Sequence, residues 1–393
     1  MTAVSAPPRG PDAGSVTDLA RPAAELAGAH ADDVDRRGRF PAEAVHALRQ
    51  AGLLSCAVPV NLGGHGLNLA EVGALTELLG RRCASTAMIF AMHQIQVFCL
   101  VRHDHSAAGQ ELLGEIVRDQ LLLASATTEI GIGGDVRSSS CAVQREGDQF
   151  RLVKNAPVIS YGEHADVVLA TARRTAESPP NDQVLVICRR PGLVLEKTGT
   201  WDTLGFRGTC SPGYQLSATG AADLVLTEPY AEISARSMLP VSHVLWAYAW
   251  LGIAEAATDL ARRSTQRAAR SRPDAVSPAA VRLAHLFGTV AQFRHLVAGS
   301  ANAFDAVSAD DDVLTGIGFS LAMNNLKVTA SGLVVDVVGQ ALGVCGIAGY
   351  RQDSEFSLGR HLRDAFGAPL MVSNDRIMAN NAQLALVHRG AST

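Results

Sequence analysis

Apolar positions recur along this chain with two different periods, and the changes between them divide it. From Val16 to about residue 122 the period is helical. VTDLARPAAELAGAHADDVDRRG (16–38) gathers charge on one side and reads as an amphipathic helix. PAEAVHALRQAGLLS (41–55) begins with Pro41 at a first helical turn and halts at Gly52, residues that suit a helix start and stop. AEVGALTELLGRRCA (70–84) follows, and STAMIFAMHQIQVFCLVRH (85–103) is apolar on nearly every side, which predicts a buried helix. From residue 123 to 235 the apolar runs shorten. FRLVKNAPVIS, DVVLATARR, QVLVICRR and DLVLTEP are rich in Val, Ile and Leu, and EGDQ, ESPPND, RPG and ATGAAD separate them. That texture predicts a mostly antiparallel, barrel-like β-domain with hairpin connections. From residue 236 to the end long helical stretches resume, clearest in 243–271 and 315–343, with SADDD (308–312) as a solvated connection. Residues 1–15, rich in Ala, Pro and Gly, read as a disordered tail. The expected architecture is α+β and multidomain: an N-terminal helical domain (16–122), a central β-domain (123–235) and a C-terminal helical bundle (236–393).

Composition narrows the class. The chain has 393 residues, of which 47% are hydrophobic and 18% charged, enough to build a large core. Lys and Arg number 34 against 38 Asp and Glu, a net charge of −4, so there is no electrostatic case for binding nucleic acid. No unbroken apolar run reaches the roughly 18 residues of a membrane span, and no membrane partner is expected. Seven scattered cysteines never form C-x-x-C, which argues against a disulfide framework or a structural metal. MTAVSAPPRGPDAGSV lacks the apolar core of a signal peptide, so the expected location is cytoplasmic.

Four motifs in order then resemble the acyl-CoA dehydrogenase superfamily of FAD proteins over roughly residues 16–390. RRGRFPAEAVHALRQAGLLSCAVPVNLGGHGL (36–67) is similar to the N-terminal signature, and TTEIGIGGD (127–135) to the T-E-P-x-A-G-S-D loop. LGFRGTCS (204–211) is similar to the G-x-R-x-S/T segment. GIAGY (346–350) with RHLRDA (360–365) resembles the G-G-x-G-Y and R-D-A pair. The resemblance implies the superfamily's fold, with a four-helix bundle at the C-terminus, and an FAD cofactor.

It also implies site residues. Thr127 and Thr128 would meet the flavin's pyrimidine side, and Gly133 and Gly134 would let backbone approach the cofactor closely; taken alone these glycines make only a tight turn. In PVISYG (157–162) Ser160 stands at the family's Thr position, where a hydroxyl can reach the flavin N5 edge, and Val158 replaces a Trp. Taken alone, Ser160 is a strand-end hydroxyl. Arg272 falls near a pyrophosphate-binding arginine, although RSRPDAV (270–276) lacks the family's Phe-Gly. Gly346 and Gly349 fit an approach to the adenosine half, which in the family comes from a neighbouring subunit, so a homodimer or homotetramer is implied. His93 is either a satisfied core histidine or a reader of the acyl group. Arg207 and Val372 are further substrate-side candidates.

Dehydrogenation of a thioester needs a base for the α-proton. Counting from Arg363 places Val372 where the family has its usual Glu, and counting back from LGIAEA (251–256) places Ser242 at the second Glu position. Neither is a base at neutral pH. His243, beside Ser242, is the best replacement by its near-neutral unperturbed pKa, and Asp375 the next. Both have plain structural alternatives, His243 as packing and Asp375 as a helix cap.

Three functions therefore compete. The first is α,β-dehydrogenation of a specialised acyl thioester, on CoA or an acyl carrier protein. The second is a flavin-dependent monooxygenase of the same fold, and the third a non-catalytic flavin- or acyl-binding protein. The first two need a further partner, either an electron acceptor or a flavin reductase.

Overall fold

The computed structural model describes residues 13–132, 135–270 and 277–388. Five helices form the first layer: α1 (Ala13–Arg37), α2 (Ala42–Gln50), α3 (Leu69–Gly80), α4 (Ala84–His103) and α5 (Ala107–Asp119). α1 already begins at Ala13, inside the stretch expected as a tail; residues 1–12 lie outside the described residues. α3 starts on a capping box. The Asn68 side chain accepts from Glu71 N and the Glu71 carboxylate from Asn68 N, both at 2.9 Å. As its composition predicts, α4 is buried on almost all sides.

Seven strands follow: β1 (Leu123–Ala126), β2 (Gln144–Glu146), β3 (Gln149–Ala156), β4 (Val167–Arg173), β5 (Gln183–Arg189), β6 (Leu193–Lys197) and β7 (Tyr214–Ala221). They make two sheets, β1-β4-β5 and β2-β3-β7-β6. Every pair is antiparallel except β1 with β4, which run parallel from Leu123 opposite Val167. β3 alternates strictly, turning Phe150, Leu152, Lys154 and Ala156 inward. DLVLTEP (223–229) is not a strand. A short turn covers Ala222–Leu224, Val225 touches β5 through a single bridge to Val186, and the next helix begins at Tyr230.

That helix, α6 (Tyr230–Ile233), passes through a π-helical turn at Ser234–Met238 into α7 (Leu239–Arg270). α8 (Pro278–Val307), α9 (Asp311–Leu314), α10 (Ile317–Cys345), α11 (Ile347–Tyr350), α12 (Gly359–Gly367) and α13 (Asn374–Val387) complete the chain. α7, α8, α10 and α13 form the C-terminal bundle, and α3 lies across α7 and α8. The α3–α7 crossing needs glycine: a Cβ on Gly252 would sit 2.6 Å from the Glu77 carbonyl oxygen. SADDD is more than a solvated link. Asp310 caps α9, and Asp311 pairs with Arg102 and Arg236.

Helices 84–103, 230–270 and 317–345 are long and apolar enough by length and composition to cross a membrane. The criterion of an unbroken apolar run misses them. In the fold the most apolar stretches of the first two are 83% and 89% buried, so their apolar surface is taken up inside the protein. All seven cysteines are free thiols.

Candidate active site

A cavity of about 670 Å³ lies between α4, α7, the loop after β1, the 201–211 segment and the 363–372 segment. One end is walled by apolar side chains of α4 and the α7 region, Met88, Met92, Ile95, Met238 and Leu239. The lining also carries hydroxyls from Thr127, Thr128, Ser160, Thr209 and Ser211.

The hydroxyl wall has a direction. Thr209 Oγ1 donates to the Phe206 carbonyl at 2.9 Å, and Ser211 Oγ lies 2.8 Å from Thr209 Oγ1. Ser211 Oγ reaches Ser160 Oγ at 2.9 Å and the Thr209 carbonyl at 3.2 Å; when its single proton goes to Ser160, the Ser160 proton is left for a group in the cavity.

The loop bearing Thr127 and Thr128 is pinned from beneath. Glu129, only 6% exposed, accepts from Cys141 N at 2.8 Å, from Ser140 N at 3.1 Å and from Ser140 Oγ. Lys154, turned inward by the β3 alternation, lies 3.5 Å from the same carboxylate and donates to the Thr171 carbonyl at 2.8 Å. These donors hold the Glu129 carboxyl below its ordinary range against the opposing effect of burial.

The 201–211 segment is clamped to α12. Phe206 N donates to Asp364 at 2.7 Å, and Arg363 Nε to the Leu204 carbonyl at 3.1 Å. Burial pushes the Asp364 carboxyl up to about 6. Gly205 has to be glycine, since a Cβ there would meet the Arg363 carbonyl oxygen at 2.2 Å.

His243, 3% exposed, lines the cavity from α7. Its Nδ1 donates to the Met323 carbonyl at 3.0 Å, so the neutral ring keeps its lone pair on Nε2. Burial, with a smaller contribution from the Lys327 charge, pushes its proton affinity down to about 4. No Asp or Glu lines the cavity among the described residues.

The family model for the acyl-CoA dehydrogenase N-terminal domain matches residues 16–120, and that for the C-terminal domain residues 234–383. The chain belongs to the acyl-CoA dehydrogenase family. It is 26% identical to a cyclohex-1-ene-1-carbonyl-CoA dehydrogenase of Syntrophus aciditrophicus over 344 residues, 85% of this chain and 79% of that protein. It is 28% identical to the human mitochondrial short-chain specific acyl-CoA dehydrogenase over 236 residues, 59% of this chain and 57% of that protein. Among solved structures, FMN-bound TdsC from Paenibacillus superposes with a TM-score of 0.84 at 18% identity, covering 95% of this chain and 98% of that one. A nitrososynthase from Micromonospora carbonacea gives 0.82 at 23% identity, covering 96% and 97%.

A member of this family is a flavin oxidoreductase, and the cavity fits a flavin. Its lining offers the Ser160 hydroxyl and the Trp201 ring. Thr127, Thr128, Ser160, Ser242, His243 and Val372 all line the cavity.

Others among the expected residues lie elsewhere. His93 is fully buried behind the wall, its Nε2 at 2.6 Å from the Leu54 carbonyl and its Nδ1 accepting from Leu123 N at 3.0 Å. It is a core histidine and reads no acyl group. Arg207 points outward to Asp202 and the Asp35 carbonyl, so it contacts no substrate in this cavity. Asp375 is exposed in the first turn of α13, away from the cavity, and Ser373 rather than Asp375 is the N-cap residue there. Ser242 donates to the Met238 carbonyl, one helical turn back, so its proton is already used. Gly346 caps the end of α10 and Gly349 lies in α11, with Ile347 and Tyr350 beside them each 74% exposed. Gly133, Gly134 and Arg272 lie outside the described residues.

Sequence reasoning missed Gln96, Trp201, Trp246 and Phe366 on the cavity wall. Gln96 was findable: Met88, Met92, Ile95 and Gln96 form one helical stripe, and His93 falls off it.

Proposed function

We propose that this protein introduces an α,β double bond into an acyl group held as a thioester on CoA or an acyl carrier protein. The observation that carries the proposal is one cavity lined together by apolar side chains of α4 and the α7 region, by the hydroxyl wall and by His243. A bound flavin supplies the acceptor for the β-hydride. The chain supplies the rest. Ser160 donates its free proton to an acceptor edge at the hydroxyl wall. His243 Nε2 takes the α-proton: burial keeps the ring neutral at working pH, and the Met323 carbonyl holds the remaining proton on Nδ1. The proton leaves readily afterwards, since burial keeps the ring a weak base.

Several finer assignments belong to the same proposal. The cofactor is FAD, with its adenosine half near Gly346 and Gly349 and completed by a second copy of this chain in a homodimer or homotetramer. Exposed Ile347 and Tyr350, and the exposed Phe287 on α8, support such a covered face. Reoxidation falls to oxygen, an electron-transferring flavoprotein or a separate reductase. The seven free thiols suit a cytoplasmic location.

One observation favours a second reading. A cavity without a carboxylate also suits a monooxygenase, which needs no α-proton base. Anaerobic addition of thioesters separates the two. Loss of the oxidised flavin band identifies a dehydrogenase, whereas oxygen-dependent product from supplied reduced flavin, with no anaerobic bleaching, identifies a monooxygenase. His243→Ala should then slow flavin reduction at least about a hundredfold, the ordinary contribution of a positioned base, with flavin still bound. An unchanged rate would remove His243 from the mechanism.

A further inference from the structure

We infer that the acyl group this enzyme accepts carries a hydroxyl in the portion lying between α4 and α7. The inference rests on the thioester reading above and sharpens it. That end of the cavity is not a plain hydrocarbon sleeve. Gln96 lines it at 2% exposure, yet its Oε1 has no partner. Its Nε2 makes only long contacts, 3.4 Å to the Met92 carbonyl and 3.8 Å to Met238 Sδ. Trp246, also on the wall, leaves its indole N–H without a partner. Its ring lies 6.0 Å from that of His243, whose Nε2 is an acceptor. Met238 ties the groups together, touching Gln96 and preceding His243 by little more than one turn of the same continuous helix.

A saturated hydrocarbon chain would leave the amide oxygen and the indole N–H buried and unpaired, at about 1–3 kcal/mol each. A hydroxyl offers one donor and two acceptor lone pairs, which match an amide oxygen and an N–H together. Charge does not fit. A carboxylate would need a cation, and Arg363, the only Lys or Arg among the described lining residues, is paired with Asp35. An ammonium would need a carboxylate, and none lines the cavity among the described residues. The Ser242 proton is already given to Met238, so it cannot serve the pair instead.

The test uses pantetheine thioesters, the part that CoA and an acyl carrier protein share. Positional isomers of the hydroxybutyryl and hydroxyvaleryl thioesters are compared with the butyryl and valeryl parents. Dissociation constants are read in the absence of oxygen, from calorimetry and from the perturbation of the flavin spectrum, on protein whose flavin has been reduced beforehand so that no turnover intervenes. At least one hydroxy isomer should bind about tenfold or more tighter than its parent. Gln96→Leu and Trp246→Phe, which keep the wall's bulk, should each bring that ratio close to one. Parents that bind as tightly as every hydroxy isomer would overturn the inference and leave the thioester reading standing. A ratio that survives both substitutions would likewise overturn it. Failure of every thioester to bind would overturn the thioester reading, and the inference with it.

Discussion

Acidification to pH 5.5, above the ordinary range in which carboxylates protonate, should already destabilise this protein. The perturbation is the charging of three buried histidines. His93 and His243 are pushed down to about 4 and His361 to about 3, in each case chiefly by burial. An unfolded histidine takes its proton near 6.5. Between pH 6.5 and 4 the unfolded chain therefore binds protons that the fold refuses, and stability falls as pH falls. At pH 5.5 each histidine costs between about 1 and 1.5 kcal/mol relative to neutral pH, about 4 kcal/mol for the three. Asp364 works the other way. Its carboxyl is raised to about 6, so the fold binds that proton more tightly than the unfolded chain and regains about 1 kcal/mol over the same interval. The net loss of about 3 kcal/mol is a large share of a typical 5–15 kcal/mol. Urea unfolding at pH 7.5 and pH 5.5 measures it. His361→Leu should flatten the dependence by about a third, since Nδ1 of that ring has no partner to lose. Equal midpoints at the two pH values, or a variant with an unaltered slope, would refute the reasoning.

Two substitutions test the site's framework. Gly205→Ala drives a methyl into the Arg363 and Asp364 backbone, so the 201–211 segment must lift away from α12. The expected cost is about 1–3 kcal/mol with flavin lost on gel filtration, and wild-type melting with full flavin content would contradict the clamp. Val372→Glu restores a carboxylate at the cavity wall and should raise anaerobic flavin reduction by straight-chain acyl-CoAs. An unchanged rate would mean that the introduced carboxylate does not reach the α-carbon.

The three-part fold was legible because each part has its own period. The helix 85–103, apolar on nearly every side, announced its burial. DLVLTEP misled because its composition is that of a strand, while its contact with β5 is limited to the Val225 bridge and the Leu226 N bond to the Leu185 carbonyl, and Pro229 follows at once. The site was legible as segments but not as faces. His93 allows two readings from sequence, core or acyl group; adjacent residues lie about 100° apart around a helix, so Met92 and Gln96 face the cavity while His93 faces the core. Glu129 stood inside a quoted motif without a role, because its partner Lys154 lies on another strand and no local pattern links them. Asp375 looked like a spare base only because distance along the chain was read as distance in space.

The wall at Val372, where the resemblance places the family's usual Glu, is held by contacts of its own. Val372 adopts a left-handed backbone, φ +47°, which a β-branched residue takes only at a cost of about 1–3 kcal/mol and only when its surroundings enforce it. Lys327 supplies the enforcement. Its ammonium, fully buried on α10, donates to the Val372 carbonyl at 2.8 Å and to Asn374 Oδ1 at 2.7 Å. Burial pushes Lys327 down to about 8, still high enough to stay mostly charged at pH 7. That charge reaches His243 and opposes protonation of its ring. Met323, which fixes the His243 tautomer, lies one turn before Lys327 on the same helix. One turn of α10 thus holds a valine where the family's usual Glu is expected and keeps the neighbouring imidazole neutral with its lone pair on Nε2. A carboxylate restored at position 372 would face a site already arranged around that imidazole, so the Val372→Glu and His243→Ala results have to be read together. If the Val372→Glu variant gains activity only when His243 is present, the two groups share one proton path; if it gains equally without His243, the imidazole serves binding.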